Sequence, residues 1–199
     1  MIKTIKNDAQ LCNYTTHQIE DAGIEVAIDD TLDKEQYIGI KIDDYYMGLN
    51  LQGETPKAVD FIVAVDCTCD SYVLYIMEFK NTGRPGAYTT SAINEKFDAA
   101  INRFLKQDFK YIFENDRFKY KDIKLYLVTS AYKEAMKYNN YAEFVRIKKL
   151  VENKDTLGND LLLSNKPFYF RGKLLYIQRE IPPVQCKVSH FIYNCFCYG

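Results

Sequence analysis

Two ionisable side chains end a strongly apolar stretch, YVLYIMEFKN (residues 72–81), and they are the first candidates for chemistry. Because side chains on a β-strand alternate between its two faces, Glu78 and Lys80 would point to the same side. A carboxylate and an ammonium beside a hydrophobic core are costly to bury unless they pair or hold a metal ion. The stretch therefore indicates either a strand that simply becomes polar as it leaves the core, or a chemically active site.

A third ionisable residue, Asp60, precedes them in another apolar segment. AVDFIVAVD and SYVLYIMEFK predict two strands, and the polar CTCDS between them predicts a hairpin. A turn centred near Cys69 would place Asp60 directly opposite Glu78, with Cβ atoms roughly 4.5–5.5 Å apart. Two carboxylates this close repel, which raises the pKa of one of them unless a cation lies between them. Mg²⁺ suits this place, because it binds one or two carboxylates together with water and phosphate oxygens.

The order of Asp60, a hairpin and then Glu78-Phe79-Lys80 resembles the active site of the PD-(D/E)xK nuclease superfamily, to which many restriction endonucleases belong. The resemblance covers about residues 8–130 and includes the family's core order, α-β-β-β-α-β. It implies that Asp60 and Glu78 bind the metal ion and that the carbonyl of Phe79 adds a ligand. It also implies that Lys80 orients or deprotonates the attacking water.

Further acidic residues are candidates for the same site. Glu20, on a predicted first helix, matches the place where some members of the family carry an additional acidic metal ligand. Glu54, just before the Asp60 strand, is a further possibility. Either residue could instead be an ordinary solvated side chain.

Candidate nucleic-acid contacts lie in the second part of the chain, which is basic. Residues 1–66 hold 13 acidic and 5 basic residues, and the remaining 133 residues hold 14 acidic and 21 basic ones, so the net charges are −8 and +7. Such an asymmetry is typical of a basic surface that binds nucleic acid, although two ordinary solvated faces would produce it as well. The predicted contacts are Lys96, Asn102 and Arg103 on a long helix, and Arg171 and Lys173 at the turn of a second hairpin, which could enter a groove as a β-ribbon.

The order of the helices and strands that would position these residues predicts a single α/β domain over residues 1–199. We expect a restriction-endonuclease-like core over about residues 8–130, with a mixed central β-sheet and helices on both faces, and a C-terminal hairpin extension over about 131–199. Helices are predicted at residues 8–22, 91–113, 131–137 and 141–153, strands at 37–43, 44–51, 58–66, 71–80 and 122–130, and the second hairpin at 167–181.

Composition excludes several classes of protein. The chain is 47% apolar, but no apolar run approaches the ~18 residues needed to cross a bilayer, and the N-terminus lacks a secretory signal. We therefore expect a soluble cytoplasmic protein without membrane contact. Its six cysteines include two Cys-x-Cys pairs, whose spacing fits zinc poorly, so free thiols are expected.

The function expected from the resemblance is a Mg²⁺-dependent endonuclease in which Mn²⁺ can substitute. The substrate would be double-stranded DNA, and a homodimer would supply one active site for each strand. A type II restriction endonuclease or another anti-phage nuclease fits this description. The alternative is a non-catalytic nucleic-acid- or protein-binding module that retains the fold and docks a protein partner through its apolar C-terminal tail.

Overall fold

A computed structural model describes residues 1–49, 55–67, 70–81, 89–129, 142, 166–180 and 184–186. The strands are β1 (Thr15–Thr16), β2 (Glu20–Asp21), β3 (Ile24–Ile28), β4 (Tyr37–Lys41), β5 (Phe61–Asp66), β6 (Ser71–Lys80), β7 (Lys119–Thr129), β8 (Phe168–Phe170), β9 (Lys173–Leu175), β10 (Ile177–Glu180) and β11 (Val184–Cys186). The helices are α1 (Ile2–Asn7), a 3₁₀ turn (Cys12–Tyr14), α2 (Ile42–Gly48), α3 (Thr90–Asp98), a π-helix (Ala99–Asp108) and α4 (Lys110–Phe113).

A mixed six-stranded sheet forms the centre of the fold. Its order is β1-β4-β5-β6-β7-β10, with β4, β5 and β6 antiparallel in succession and β6, β7 and β10 parallel. The sheet confirms the predicted α/β class and the predicted hairpin between β5 and β6. Nine of the ten residues of β6 are buried, as expected for a strand covered on both faces.

Different layers cover the two faces of this sheet. The helices pack on one face, where they bury the side of β6 that carries Leu74 and Ile76. A second sheet of order β11-β3-β2 packs on the other face, with Ile24 and Val26 of β3 pointing inward. Among the described residues, helices cover one face and β3 covers the other, because its alternation of buried and exposed residues lets a one-sided strand cover the core.

The long helix predicted after β6 is present but irregular. The Thr89 hydroxyl accepts a hydrogen bond from the Ala92 N–H at 3.2 Å, so Thr89 caps the helix. From Ala99 the chain continues as a π-helix, which ends where the Phe109 N–H donates to the Phe104 carbonyl at 2.9 Å. π-helices are rare and often occur at functional sites.

Two predicted elements near the N-terminus are wrong. Residues 8–22 do not form a helix, because local side-chain hydrogen bonds compete with helix formation. The Asp8 carboxylate accepts from two following N–H groups, and the Thr15 hydroxyl donates to the Cys12 carbonyl. Residues 44–51 were expected to form a strand, but Asp44 to Gly48 belong to α2. Here Tyr45 and Tyr46 pack on aromatic residues of the π-helix region, and such tertiary contacts override strand propensity.

The second predicted hairpin is confirmed for β8 and β9 only, because Ile177–Glu180 leaves it and pairs parallel with β7 as β10 of the central sheet. β8 and β9 pair through a two-residue turn in which Arg171 and Gly172 both have positive φ angles, as in type I′ hairpins. The predicted helices at 131–137 and 141–153, Glu54, the second Cys-x-Cys pair and the C-terminal tail from residue 187 lie outside the described residues. No helix in the described part of the chain is both long and apolar enough to span a membrane.

Candidate active site

The ends of β5 and β6 bring the two predicted carboxylates together. The strands pair with Phe61 opposite Met77, so the next position in the same register places Asp60 opposite Glu78. Both acids continue the side of the sheet that carries Ile62 and Ile76, which is the side covered by the helices. The carboxylates therefore lie at the end of the helix-covered core.

Burial makes it unfavourable for both carboxylates of this pair to be charged. Glu78 is fully buried and Asp60 is only 7% exposed. The Asp60 Oδ2 atom accepts a hydrogen bond from the Phe79 N–H at 2.5 Å. The Oε2 atom of Glu78 has no hydrogen-bond donor among the described residues, whereas its Oε1 atom contacts two ammonium groups. Buried polar atoms are normally satisfied, so Oε2 indicates a place where a further ligand can bind.

Two ammonium groups meet the same carboxylate oxygen. Lys80, two residues further along β6, contacts Glu78 Oε1. Lys96, from α3, places its Nζ atom 2.7 Å from Glu78 Oε1 and 3.9 Å from Asp60 Oδ1. Lys96 was predicted as a phosphate contact on the long helix, but the structure places it directly on the carboxylate pair. Helical periodicity indicated this position, since Lys96 follows the buried Ile93 by three residues.

These contacts shift the pKa values of the site. Burial raises the pKa of Asp60 to about 7, and the negative charge of Glu78 adds to this rise, against the opposing effects of the Phe79 N–H and Lys96. Burial acts to lower the pKa of Lys96, but attraction to Glu78 and Asp60 outweighs it and the net shift is upward. Lys96 therefore stays charged at neutral pH, whereas Asp60 loses its proton near neutral pH.

Asp43 is an acidic neighbour that the sequence did not reveal. It lies in the first turn of α2, and the Ile42 N–H attaches this turn to the Asp60 carbonyl at 3.1 Å. Burial raises the pKa of Asp43, and nearby Asp44 and Asp21 add to this rise. The sequence predicted a strand over this segment. Asp43 lies near the site because the chain forms the first turn of α2 here instead.

Glu20 does not lie where it was expected. It belongs to β2 rather than to a first helix, and it is exposed. The turn after β2 does approach the site, because the Asn81 amide at the end of β6 contacts the Ala22 carbonyl. Within the described ranges, no group of three or more His, Cys, Asp or Glu side chains is arranged to hold a metal ion.

Two carboxylates suffice for Mg²⁺, which takes several water molecules and substrate oxygens in addition to one or two acidic side chains. Asp60 and Glu78 could hold such an ion through Asp60 Oδ1, which does not accept the Phe79 hydrogen bond, and through the Glu78 carboxylate. Phe79 contributes to the site through its backbone, because its N–H orients Asp60. A role for its carbonyl as a ligand stays a prediction.

A polar groove of about 900 Å³ lies along α3, the helix that carries Lys96, and none of Asp60, Glu78, Lys80 and Lys96 lines it. It lies between the segment before β5, which carries Lys57, and the exposed side of α3 and the π-helix, which carries Asn102 and Arg103. The side-chain oxygen of Asn102 accepts from Lys106 at 2.8 Å. Arg103 stacks over the Tyr46 ring with 5.3 Å between guanidinium carbon and ring centroid. Both predicted contacts thus line the groove, but each already has an intramolecular partner.

Arg171 and Lys173 are not brought to this site. The Arg171 guanidinium donates to the Glu114 and Phe118 carbonyls and to Asp116, and Lys173 donates to the Lys121 carbonyl. These contacts lie at the start of β7, whereas Glu78 aligns with Leu127 near its end. At ~3.3 Å per residue, the two places are about 20–30 Å apart along the strand. The β8–β9 hairpin therefore contacts the end of the sheet opposite to the carboxylate pair.

No family model matches this chain, and no curated protein or solved structure is significantly similar to it. What the protein can do chemically follows from the groups of the site itself. Two opposed buried carboxylates, two ammonium groups and a polar groove along α3 can hold a hard cation, bind an anionic substrate and position a water molecule.

Proposed function

We propose that the protein is a Mg²⁺-dependent endonuclease of the PD-(D/E)xK type that hydrolyses phosphodiester bonds in double-stranded DNA. The observation that carries the proposal is the fully buried Glu78, which lies opposite Asp60 and contacts two lysines. A buried apolar strand has no structural need for this cluster, whereas metal-assisted hydrolysis needs each of its groups.

Each residue has a defined task in this proposal. A bound Mg²⁺ would supply a Lewis acid that polarises the phosphate and lowers the pKa of water. Asp60 and Glu78 would hold the ion, and the Phe79 N–H fixes the Asp60 carboxylate in the required orientation. Lys80 lies on the same strand face as Glu78 and is 24% exposed at its side chain, so it could orient the attacking water or accept its proton.

We place the substrate backbone in the groove. Its lining includes Lys57, Arg103 and Lys166 together with the acids Glu95 and Asp98, with which Lys57 and Lys166 already pair. Cationic and amide side chains are the usual contacts to a phosphate backbone. Cleavage of both strands of a duplex would require a homodimer. We propose a cytoplasmic role as a type II restriction endonuclease or another anti-phage nuclease, with Mn²⁺ able to replace Mg²⁺.

One observation favours a second candidate, a binding module without catalysis. The ammonium groups of Lys80 and Lys96 already neutralise the charge of the two carboxylates. A buried ion-pair cluster of this kind can exist without a metal ion if its geometry is good. The module would then bind nucleic acid or a protein partner, through the groove or through the apolar C-terminal tail.

Cleavage of supercoiled plasmid in Mg²⁺, together with calorimetric Mn²⁺ titration, separates the two candidates. Glu78→Gln should lose metal binding and cleavage together. Lys80→Met should keep the metal ligands but slow cleavage by about 10²–10⁴-fold, the usual contribution of general acid–base assistance. Lys110→Met is the matched control, because Lys110 is exposed and pairs only with Glu114 among the described residues.

Discrete fragments would indicate a sequence-specific endonuclease, and a smear would indicate a nonspecific one. Wild-type cleavage rates in folded Glu78→Gln and Lys80→Met proteins would refute the proposed site. Intact plasmid together with no calorimetric Mn²⁺ binding would favour the binding module. Circular dichroism of each variant establishes that it is folded.

A further inference from the structure

Lys96 occupies the one position in the described site from which a cation reaches both carboxylates. Its Nζ atom is 2.7 Å from Glu78 Oε1 and 3.9 Å from Asp60 Oδ1, whereas Lys80 forms an ion pair only with Glu78. Lys96 also comes from a different element, α3, so it can move without disturbing the strands that carry the two acids.

We propose that Lys96 is an internal counter-cation that takes the place of the divalent ion in the metal-free site and is displaced when the ion binds. The proposal rests on the proposed metal site of Asp60 and Glu78. It assigns Lys96 a positioning role, which is to hold the carboxylates ready for the metal ion, rather than a place among the metal ligands.

Electrostatics require such a cation in the absence of metal. Two opposed carboxylates in a site this buried repel strongly, and a buried charge without a partner is destabilising. Asp60 is held on one side by the Phe79 N–H, and Lys96 is its only ion-pair partner among the described residues. Without Lys96, therefore, the negative charge of the pair would be balanced only by Lys80, which contacts Glu78.

The same geometry prevents Lys96 and a divalent ion from occupying the site together. An ammonium 2.7 Å from Glu78 Oε1 lies within the space that a metal ion bound to that oxygen and its water ligands would fill. Like charges at this distance repel, so the ammonium must leave as the ion enters. Lysine suits this movement, because its charge lies at the end of a flexible four-carbon stem.

The displaced ammonium has a direction in which to move. The Lys96 side chain is 23% exposed, so its ammonium can move toward solvent, and the polar groove runs along the same helix. A phosphodiester bound next to the metal ion is the anion that this ammonium would meet. Metal binding should therefore strengthen DNA binding partly by making Lys96 available to a substrate phosphate.

Isothermal titration with Mn²⁺ in the absence of DNA tests the displacement. Lys96→Met removes the competing charge and keeps the side-chain length, so Mn²⁺ should bind about 10-fold more tightly than to wild type, within the usual range of coupling between sites. Lys96→Arg keeps the charge and should bind Mn²⁺ no more tightly than wild type. Lys110→Met is the matched control, because it removes a positive charge that pairs with Glu114 and not with the two carboxylates.

Thermal unfolding with and without Mn²⁺ supplies a readout that does not depend on the variant being stable alone. Lys96→Met should unfold at a lower temperature than wild type without metal and gain more stability when Mn²⁺ is added. Recovery of folded Lys96→Met protein only in the presence of Mn²⁺ would support the proposal as well. DNA binding in Ca²⁺, a non-cleaving probe ion, should strengthen less for Lys96→Met than for wild type.

Two results would overturn the proposal, and they have different meanings. If wild type binds Mn²⁺ and Lys96→Met binds it equally or more weakly, Lys96 is only a structural clamp and the proposed metal site stands. If neither wild type nor Lys96→Met binds Mn²⁺, the carboxylate pair is not a metal site, and the proposed function fails together with this inference.

Discussion

Replacing Asp60 by asparagine should stabilise the metal-free protein above neutral pH, although it destroys a proposed metal ligand. Asp60 is buried opposite Glu78, and these two effects raise its pKa to about 7. The Asp60→Asn side chain would keep the same shape and an oxygen that can accept the Phe79 hydrogen bond, but it cannot ionise. The substitution therefore removes a buried charge at little cost in packing.

The size of the effect follows from proton linkage. Folded Asp60 keeps its proton up to about pH 7, whereas the unfolded chain releases it near the ordinary value of 3.8. The unfolded state therefore binds fewer protons between these values, and the free energy of unfolding falls as pH rises through this window, by ~1.4 kcal/mol per pH unit. Over the whole window the wild-type protein loses about 4 kcal/mol at this one residue. The loss of attraction to Lys96 reduces the net gain of the variant to about 2–4 kcal/mol above pH 7.

Urea denaturation in EDTA at several pH values measures this gain. The difference in unfolding free energy between Asp60→Asn and wild type should grow by about 3 kcal/mol from pH 5 to pH 7 and then level off. Asp44→Asn is the matched control, because Asp44 is an exposed acid of the nearby helix, and it should change stability by less than about 0.5 kcal/mol. A variant that is less stable than wild type at pH 8, or a difference that does not vary with pH, would refute the argument.

Two further predictions concern the proposed DNA surface. If Arg103 contacts a phosphate in the groove, the logarithm of DNA affinity should fall with the logarithm of salt concentration at roughly −0.9 for each phosphate neutralised, and Arg103→Ala should reduce that slope by about 1. A nearly flat salt response in wild type would contradict the groove as the DNA surface. Arg171→Ala should instead leave DNA affinity within about twofold and lower stability by about 1–3 kcal/mol, since it removes hydrogen bonds to the Glu114 and Phe118 carbonyls. Filter binding and urea denaturation check this pair of results, and a DNA defect in a stable Arg171→Ala protein would contradict it.

Local sequence signals were sufficient to predict the strands that carry the two acids. The β5–β6 hairpin was predictable because both strands are apolar throughout and the segment between them is polar. Strand alternation then placed Glu78 and Lys80 on one face, and the hairpin register placed Asp60 opposite Glu78. These inferences depend on period and register alone, and neither requires knowledge of distant contacts.

Residues that reach the site from other elements were harder to predict. Lys96 was predicted as a phosphate contact, because nothing in the sequence of α3 shows that this residue meets the ends of β5 and β6. Asp43 was missed because the predicted strand 37–43 included it, whereas β4 ends at Lys41 and α2 begins at Ile42, with Tyr45 and Tyr46 packed on Phe104. In both cases the position of the residue is determined by tertiary packing, which a single sequence does not report.

The cluster of charges at the end of β6 is difficult to explain by stability alone. A buried ion pair is often no more stabilising than apolar side chains of similar volume, and β6 is otherwise apolar and fully packed. A leucine in place of Glu78 would therefore have been the simpler solution for the fold. Instead the protein carries a fully buried acid, a second acid whose pKa is raised to about 7, and two lysines that neutralise them. Strained charge clusters of this kind are typical of functional sites, because an incoming cation and anion relieve the repulsion that the fold itself leaves in place.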